Sequence, residues 1–217
     1  MGYKINIHAH TIFSDGQNTP YRMALEAKEL GFTALVITDH YYASRPDEWC
    51  SLNLWKMHLL RRACKEAKQV LPVIVGIELA FGGEEILTFG SAVTQAIMEH
   101  VESGKELTME YLLELKQKFD CAFVLCHPGK ENNWKKLSPL LDGYERFNSG
   151  SDMFKHDRRL GPLESFPGWC NSDAHSVDGM ARAYNVVDAK IETETDLIRY
   201  IKRGAQPVPY LHSKEDA

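Results

Sequence analysis

The sequence predicts an α/β fold, a single-domain barrel of parallel strands, on three observations. Strand-like and helix-like segments alternate along the chain, which favours parallel strands connected by helices. Five strand-like runs, INIHAH, ALVITDH, VIVGIE, FVLCH and CNSDAH, each end in residues that can bind a metal or transfer a proton. The 217 residues, 44% of them hydrophobic, suffice for one sizeable core. About seven strand and helix units fit this length.

The individual elements follow from local patterns. Residues 4–8 alternate polar and apolar, as a half-buried strand does. Thr19 suits a helix N-cap, Pro20 suits the first helical position, and Gly31 ends the predicted helix. Further strands are predicted at 34–38, 73–77, 85–89, 121–126, 144–148, 169–171 and 184–187. Further helices are predicted at 52–70, 91–103, 108–119 and 193–203.

The chain is predicted to form one domain over residues 1–206. Residues 207–217 lack periodicity and end in polar residues, so we expect a C-terminal tail there. Two stretches, 41–55 and 149–166, interrupt the alternation and are expected near the mouth of the pocket. For any single residue in them, loop packing is favoured over contact with a substrate.

Composition and charge narrow the class of protein. The net charge of −5 and the pI near 6.0 provide no overall basic field that would attract nucleic acid. The five cysteines are odd in number and lack C-x-x-C spacing, so we expect reduced and mostly buried thiols. No recognisable leader is present and no apolar run approaches the roughly 18 residues that a membrane span needs. We therefore expect a cytoplasmic protein without membrane contacts, and its oligomeric state stays open.

The polar residues at the strand ends predict a site for more than one metal ion. All strands of a parallel barrel open onto one face at their C-terminal ends, so these residues would converge there. His8 with His10, and Asp173 with His175, are i, i+2 pairs whose side chains point the same way along a strand. A structural histidine is the ordinary alternative for an H-x-H pair alone. A buried, ionised Glu78 would cost several kcal/mol without a compensating cation or donor, which favours the metal site.

The chain resembles the PHP (polymerase and histidinol phosphatase) superfamily of metal-dependent phosphoesterases. The segments IHAHTIFSDG, ITDHY, GIEL, LCHPG and NSDAHS match the motifs of that family in their order. The resemblance implies a distorted (β/α)7 TIM-like barrel. It also implies two or three divalent transition-metal ions, and nitrogen and oxygen donors without thiolate suit zinc, manganese or iron. The implied metal ligands are His8, His10, Asp15, His40, Glu78, His127, Asp173 and His175.

The resemblance also implies roles within this set. Glu78 would bridge two ions, the first held with His8, His10 and Asp173 and the second with His127. Asp15, His40 and His175 would hold a third ion or act as catalytic groups.

Three positions qualify the resemblance. Many relatives carry a further histidine after the GxE glutamate, where this chain has Leu87. We therefore expect the second ion to be weakly held or completed by water. His100 is expected at the surface of a helix rather than as a substitute ligand. Asp39 is expected to orient the site or cap a loop rather than to bind a metal directly.

The function implied by the resemblance is hydrolysis of a phosphomonoester of a small molecule. Lys130 and Arg182 are candidate phosphate contacts, with solvated surface charge as the alternative for both. A PHP-type nuclease or phosphodiesterase and a noncatalytic metal-binding regulatory domain are the competing hypotheses. The acidic charge balance argues against a nucleic-acid partner.

Overall fold

The structure is a computed structural model that describes residues 2–128, 133–150 and 163–211. It has the mixed α/β fold that the sequence predicts. The strands within these residues are β1 (Tyr3–Ile5), β2 (Leu35–Ile37), β3 (His40–Tyr42), β4 (Val73–Val75), β5 (Ile77–Phe81), β6 (Glu84–Phe89), β7 (Ala122–Leu125), β8 (Gly143–Asn148), β9 (Gly168–Asn171), β10 (Ala183–Val187) and β11 (Val208–Leu211). The helices are α1 (Pro20–Glu29), α2 (Leu54–Ala67), α3 (Ser91–Glu102), α4 (Met109–Lys118), α5 (Trp134–Leu137) and α6 (Glu194–Lys202).

Side-chain caps fix where several helices begin. Thr19 precedes α1 and accepts a hydrogen bond from the Arg22 N–H, as the sequence predicts for an N-cap. Thr193 precedes α6, where its hydroxyl and the Asp196 carboxylate each bond the backbone N–H of the other residue. These local bonds explain why the helix boundaries could be predicted closely from sequence.

The strands form three hydrogen-bonded sheets in the described part of the chain. Strands β3, β5, β6, β7, β8 and β9 form one sheet in that order, β2 pairs with β4, and β10 lies between β1 and β11. Strand β6 is antiparallel to both β5 and β7, and β10 is antiparallel to both of its partners. The prediction of parallel pairing throughout is therefore wrong for these strands.

A two-residue turn explains the antiparallel course of β6. Gly82 and Gly83 connect β5 to β6 with φ angles of +65° and +82°. A hairpin turn with positive φ at both central residues favours glycine, and a connection this short cannot join parallel strands. The turn sets Glu78 opposite Leu87 and Ala80 opposite Glu85.

Backbone hydrogen bonds connect the sheets where the strands end. The bonds run from the His10 N–H to the Ala174 carbonyl (2.9 Å), from the Thr38 N–H to the Ala9 carbonyl (2.9 Å) and from the Glu78 N–H to the Asp39 carbonyl (3.1 Å). The segments that follow β1, β2, β4 and β9 consequently meet at one edge of the fold.

Apolar side chains cover both faces of the central strands. One buried cluster includes Ile5, Leu87 and Val124 from the strands together with side chains of α6. A second buried cluster packs Ile37 and Phe123 of the strands against helices α1 to α4. Burial of both faces explains why these strands appear in the sequence as nearly continuous apolar runs.

The C-terminal segment differs in part from the predicted tail. Strand β11 pairs antiparallel with β10, and Tyr210 stacks on Tyr184 at 4.4 Å between ring centroids. All four side chains of β11 are exposed. Its sequence, VPYL, lacks the polar and apolar alternation of a half-buried strand and contains a proline, so the local pattern did not predict a strand. Residues 212–217 lie outside the described residues, and the domain boundary at 206 stays a prediction.

The cysteines match their prediction, since all five are free and four of them are buried. None of the helices in residues 2–128, 133–150 and 163–211 combines the length and apolarity needed to cross a membrane.

Substitution of Leu87 tests its role in the core. Leu87 is fully buried, so Leu87→Ala should lower the free energy of unfolding of the metal-free protein by about 2–5 kcal/mol. Val208→Ala is the control, because Val208 is 63% exposed and its truncation should cost less than about 1 kcal/mol. Urea denaturation in excess chelator measures both values. Equal, small losses in the two variants would contradict the assignment of Leu87 to the core.

Candidate metal centre

Histidines and carboxylates from separate strand ends meet in one group, which we call the His/carboxylate cluster. Its members follow the ends of β1, β7 and β9, or come from the starts of β3 and β5 and from the loop before α1. Continuous contacts of 3.6 Å or less connect them. They are His8, His10, Asp15, His40, Glu78, His127, Asp173 and His175. The structure therefore brings together all eight residues that the sequence analysis selected as metal ligands.

The H-x-H pair converges on one point, as its spacing predicts. The Nε2 atoms of His8 and His10 lie 3.0 Å apart. Asp173 Oδ1 lies 3.3 Å from His8 Nε2 and 3.0 Å from His10 Nε2. Ligand atoms that share an ion at about 2.1 Å lie about 3.0–4.2 Å apart. The spacing of these atoms therefore fits a shared ion.

Glu78 occupies the middle of the cluster and is only 1% exposed. Its Oε1 atom lies 3.2 Å from His8 Nε2 and 3.1 Å from His127 Nε2. Its Oε2 atom lies 2.7 Å from His40 Nδ1 and 3.4 Å from His10 Nε2. The two oxygens thus face different histidines, which is the geometry that a carboxylate bridging two ions requires.

Asp15 connects two histidines at the outer side of the cluster. Its Oδ2 atom lies 3.5 Å from His40 Nε2, and its Oδ1 atom lies 3.3 Å from His175 Nε2. One donor atom from each of these residues and from His10 falls within 4.8 Å of the others. This group could bind a further ion. Without that ion, protons on the histidines can form hydrogen bonds to the Asp15 carboxylate.

Asp39 orients the loop after His10, as the sequence analysis expects. The Thr11 N–H and hydroxyl donate to its two oxygens, each at 2.7 Å, and the Ser14 hydroxyl donates to Oδ1 at 2.6 Å. These bonds direct the buried carboxylate towards the loop that carries Asp15. Asp39 thereby positions the cluster without joining it.

Glu145 holds two members of the cluster through hydrogen bonds, and the sequence analysis missed it. The buried carboxylate accepts hydrogen bonds from His8 Nδ1 at 2.8 Å and from the His127 N–H at 2.9 Å. The first bond directs His8 Nε2 towards the metal side. A bulge in β8 also allows Asn148 to donate to Glu145 at 2.8 Å. The available signal was a carboxylate inside a predicted strand, which must have partners if it is buried.

Glu85 is a second residue that the sequence analysis missed. Its Oε2 atom lies 3.4 Å from His127 Nε2. One donor atom each from Glu85, His40 and Glu78 falls within 4.8 Å of the others. The Gly82–Gly83 turn signal, combined with strand alternation, would have placed Glu85 beside this site.

The remaining predicted residues lie elsewhere. His100 is in α3, where its ring stacks on Tyr111 at 3.9 Å and its Nε2 pairs with the Glu106 carbonyl, so it is no substitute ligand. Arg182 is exposed, and its guanidinium has no hydrogen bond or ion pair with the residues that the structure describes. Lys130 lies outside the described residues, as does most of the 149–166 stretch.

Two cluster residues adopt backbone conformations that are uncommon for side chains of their type. Asp173 has a φ of 52° and His127 a φ of 20°. Positive φ angles strain the backbone of residues other than glycine, although aspartate tolerates them better than most. Each residue comes shortly after a strand end, where the turn directs its side chain into the cluster.

Protonation of the metal-free cluster reflects its ion pairs. Burial alone would lower the pKa of His40, but the Asp15 and Glu78 carboxylates outweigh it and raise the pKa to about 11. Burial also disfavours the charge of His127, yet Glu78 and Glu145 raise its pKa to about 9. The opposite balance holds the pKa of Glu78 well below its usual value, because the histidine charges outweigh its burial.

The donor set fits divalent cations. Glu78 Oε2, His40 Nδ1 and Asp173 Oδ1 are buried without a hydrogen bond of adequate geometry, although the first two atoms lie only 2.7 Å apart. Buried polar atoms without such a bond need a compensating partner, and a divalent cation bound among them would supply one. Imidazole and carboxylate donors together suit zinc, manganese or iron.

Comparison with known proteins places these motifs in a family. The sequence model of the PHP domain matches residues 6–153, and that of a PHP-associated region matches residues 164–205. An uncharacterized protein of Methanocaldococcus jannaschii is 25% identical over 142 residues, which are 58% of this chain and 58% of that protein.

Two solved structures share the fold at low sequence identity. A two-domain protein of Bacteroides vulgatus, containing a predicted PHP-like metal-dependent phosphoesterase, superposes with a TM-score of 0.67 and 19% identity, over 98% of this chain and 65% of that one. The lesion-specific endonuclease PfuEndoQ of Pyrococcus furiosus superposes with a TM-score of 0.61 and 19% identity, over 96% of this chain and 58% of that one. The chain thus spans less than two thirds of either protein.

The raised histidine pKa values predict that metal affinity depends on pH. His40 and His127 have pKa values of about 11 and 9, so both are protonated at pH 7 in the metal-free protein. Coordination needs unprotonated nitrogens, so binding releases protons and becomes stronger as the pH rises. With two protons released, the apparent affinity should increase by up to about 100-fold per pH unit between pH 6 and 8. Titration calorimetry measures this slope, and an affinity independent of pH would contradict it.

Proposed function

The chain belongs to the PHP domain family, and on that basis we propose that it is a metal-dependent hydrolase of a small-molecule phosphomonoester. The convergence of seven further nitrogen and oxygen ligand residues around the buried Glu78 carries this proposal. Divalent ions bound there would supply a water of lowered pKa and neutralise charge on the phosphoryl oxygens.

We propose two or three divalent ions, of zinc, manganese or iron, in this cluster. His8, His10, Glu78 and Asp173 would hold one ion, and Glu78 with His127 would hold a second. Asp15, His40 and His175 would hold a third ion or serve catalysis. The grouping of donor atoms into His8–His10–Glu78 and His10–Asp15–His40–His175 sets supports this division.

Proton transfer to the leaving oxygen is proposed for the outer residues of the cluster. The hydrogen bond to Asp15 raises the pKa of His175 against the opposing effect of burial. The His175 side chain is also 37% exposed, compared with 11% for His40. Such a group can reach a substrate and act as a general acid if it does not bind a metal. Asp15 would hold the imidazole in position.

A cleft of about 830 Å³ beside the cluster is a candidate substrate site. Its lining includes Tyr42, Arg45, Glu85, Lys105 and His127, and we call it the side cleft. Its volume lies within the range of about 300–1,000 Å³ that is typical of small-molecule sites. The positively charged side chains of Arg45 and Lys105 in its wall could contact anionic parts of a substrate. Lys130 and Arg182 stay proposed phosphate contacts.

We also propose that the strands close into a distorted TIM-like barrel. The parallel bridge between Ala9 and Ala174 supports closure, because it connects the segment after β1 with the segment after β9. The parallel bridge between Lys4 and Phe32 connects β1 towards β2. A barrel of this kind would expose the cluster at one end of the strands.

Cleavage of nucleic acid is the second candidate function. Similarity in fold to the endonuclease of Pyrococcus furiosus makes it relevant. Trp49 and Trp55 are 72% and 67% exposed, and exposed aromatic rings can stack on bases. The net charge of −5 disfavours a polyanionic substrate.

Glu78→Gln tests the metal-dependent activity. The wild-type protein should contain about two or three ions per chain, and the variant should lose at least one, because its amide binds metals poorly. Its kcat/KM for an aryl phosphate should fall by more than about 100-fold, since two ions depend on the carboxylate. Glu66→Gln, on the exposed side of α2, is the control. Full metal content and activity in Glu78→Gln would reject the bridging role, and ion binding without hydrolysis would favour a noncatalytic domain.

Comparison of substrates separates the phosphatase from the nuclease hypothesis. Phosphomonoesters should be hydrolysed faster than diesters or oligonucleotides, because a polymer needs an extended basic and aromatic track. Initial rates with a panel of phosphorylated metabolites and with lesion-containing and intact DNA measure the preference. If an oligonucleotide is cleaved faster than every monoester, the nuclease is the better hypothesis.

A further inference from the structure

We propose that Glu85 is a metal ligand of the His/carboxylate cluster, acting with Glu78 and His127 at the side that faces the side cleft. This inference rests on the proposed metal-dependent function. It replaces the expectation that the second ion is weakly held or completed by water because position 87 is leucine.

The hairpin fixes which residue of β6 reaches the cluster. Its register sets Leu87 opposite Glu78 and Glu85 opposite Ala80. Side chains two residues apart on a strand share a face, so Glu85 and Leu87 both project to the side that carries Glu78. Leu87 is fully buried in the apolar cluster beneath. Glu85 is one step closer to the turn and therefore lies beside the ligands.

The neighbouring strand holds this position from the other side. The Cys126 N–H donates to the Glu85 carbonyl at 2.8 Å. Cys126 directly precedes His127, so the backbone bond sets the Glu85 side chain next to that imidazole. Glu85 Oε2 and His127 Nε2 are 3.4 Å apart as a result.

The distances fit a shared ion. Glu78 Oε1 lies 3.1 Å from the same His127 nitrogen. Donor atoms of Glu85, Glu78 and His40 also lie within 4.8 Å of one another. Ligands at about 2.1 Å from one ion are separated by about 3.0–4.2 Å, which these atoms can reach with small side-chain adjustments.

The charges near Glu85 also favour a cation. The carboxylates of Glu85 and Glu78 each have an oxygen within 4.8 Å of the other, and like charges at such a distance repel. Among the residues that the structure describes, no lysine or arginine forms an ion pair with Glu85; its charged partner is His127. A divalent ion between the carboxylates would convert this repulsion into attraction.

A carboxylate at this position has two consequences for the site. Oxygen donors are harder than imidazole, so they favour manganese relative to zinc when compared with a histidine in the same place. The Glu85 side chain is 29% exposed and lines the side cleft together with His127. The ion that it binds would therefore be the one closest to a substrate in that cleft.

Metal binding by four variants tests the proposal. Glu85→Ala removes the donor, Glu85→Gln keeps the shape but removes the charge, and Glu85→His supplies a nitrogen donor. Glu66→Ala is the matched control, because Glu66 is an exposed carboxylate on α2 away from the cluster. Elemental analysis after dialysis and calorimetric titration with Mn²⁺ and Zn²⁺ give the stoichiometry and affinity, and circular dichroism verifies folding.

The expected result is loss of one ion, or binding of that ion at least about tenfold weaker, in Glu85→Ala and Glu85→Gln. Glu85→His should retain the ion and shift the preference towards zinc, and Glu66→Ala should match wild type. If Glu85→Ala does not fold, the isosteric Glu85→Gln provides the same test. Wild-type stoichiometry and affinity in folded Glu85→Ala and Glu85→Gln would overturn the proposal, even if the activity of these variants fell.

The two proposals fail separately. A wild-type protein that binds its ions but hydrolyses no phosphoester would reject the proposed function and leave the metal-binding test of Glu85 intact. Normal hydrolysis with normal metal content in folded Glu85→Ala and Glu85→Gln would reject the role of Glu85 alone.

Discussion

Complete burial of the Glu78 carboxylate is the constraint on which the rest of the site depends. An ionised carboxylate removed from water is unstable by several kcal/mol unless donors or cations compensate it. Four histidines lie within 3.4 Å of its oxygens. Two of them form the H-x-H pair, and the other two, His40 and His127, come from separate segments of the chain. The ends of the strands must therefore be held together by backbone bonds, because no local segment could supply these partners.

Two buried carboxylates outside the cluster, Asp39 and Glu145, hold its members in place through hydrogen bonds. Asp39 holds the loop that carries Asp15, and Glu145 holds the ring of His8 and the backbone of His127. Carboxylates that bind a histidine on the side opposite its metal nitrogen fix the orientation of the ring. Glu145 thus orients the His8 imidazole, and Asp39 holds the loop after His10, before any ion binds.

The hairpin of β5 and β6 connects the fold to the chemistry at the open side. Two glycines with positive φ reverse the chain and set the register that brings Glu85 to the cluster and Leu87 to the core. The same hairpin forms part of the wall of the side cleft. This one hairpin therefore contributes to the proposed metal site, to the packing of the core and to the shape of the candidate substrate site.

The sequence by itself determined the α/β class, the five longer helices and most strands, because these depend on local signals such as the Thr19 cap and the apolar run 121–126. The i, i+2 spacing of His8 and His10 predicted that this pair converges, whereas the full set of eight ligand residues followed from the resemblance to the PHP superfamily. The short helix α5 was not predicted. The tertiary structure alone decided the antiparallel course of β6, the strand Val208–Leu211 and the positions of Glu85 and Glu145. Pairing partners and register depend on contacts between distant segments, and β11 lacks the alternation of polar and apolar residues that would predict a strand. For that reason the sequence shows which residues can bind metals, whereas the folded register sets Glu85 beside the cluster and Leu87 in the core.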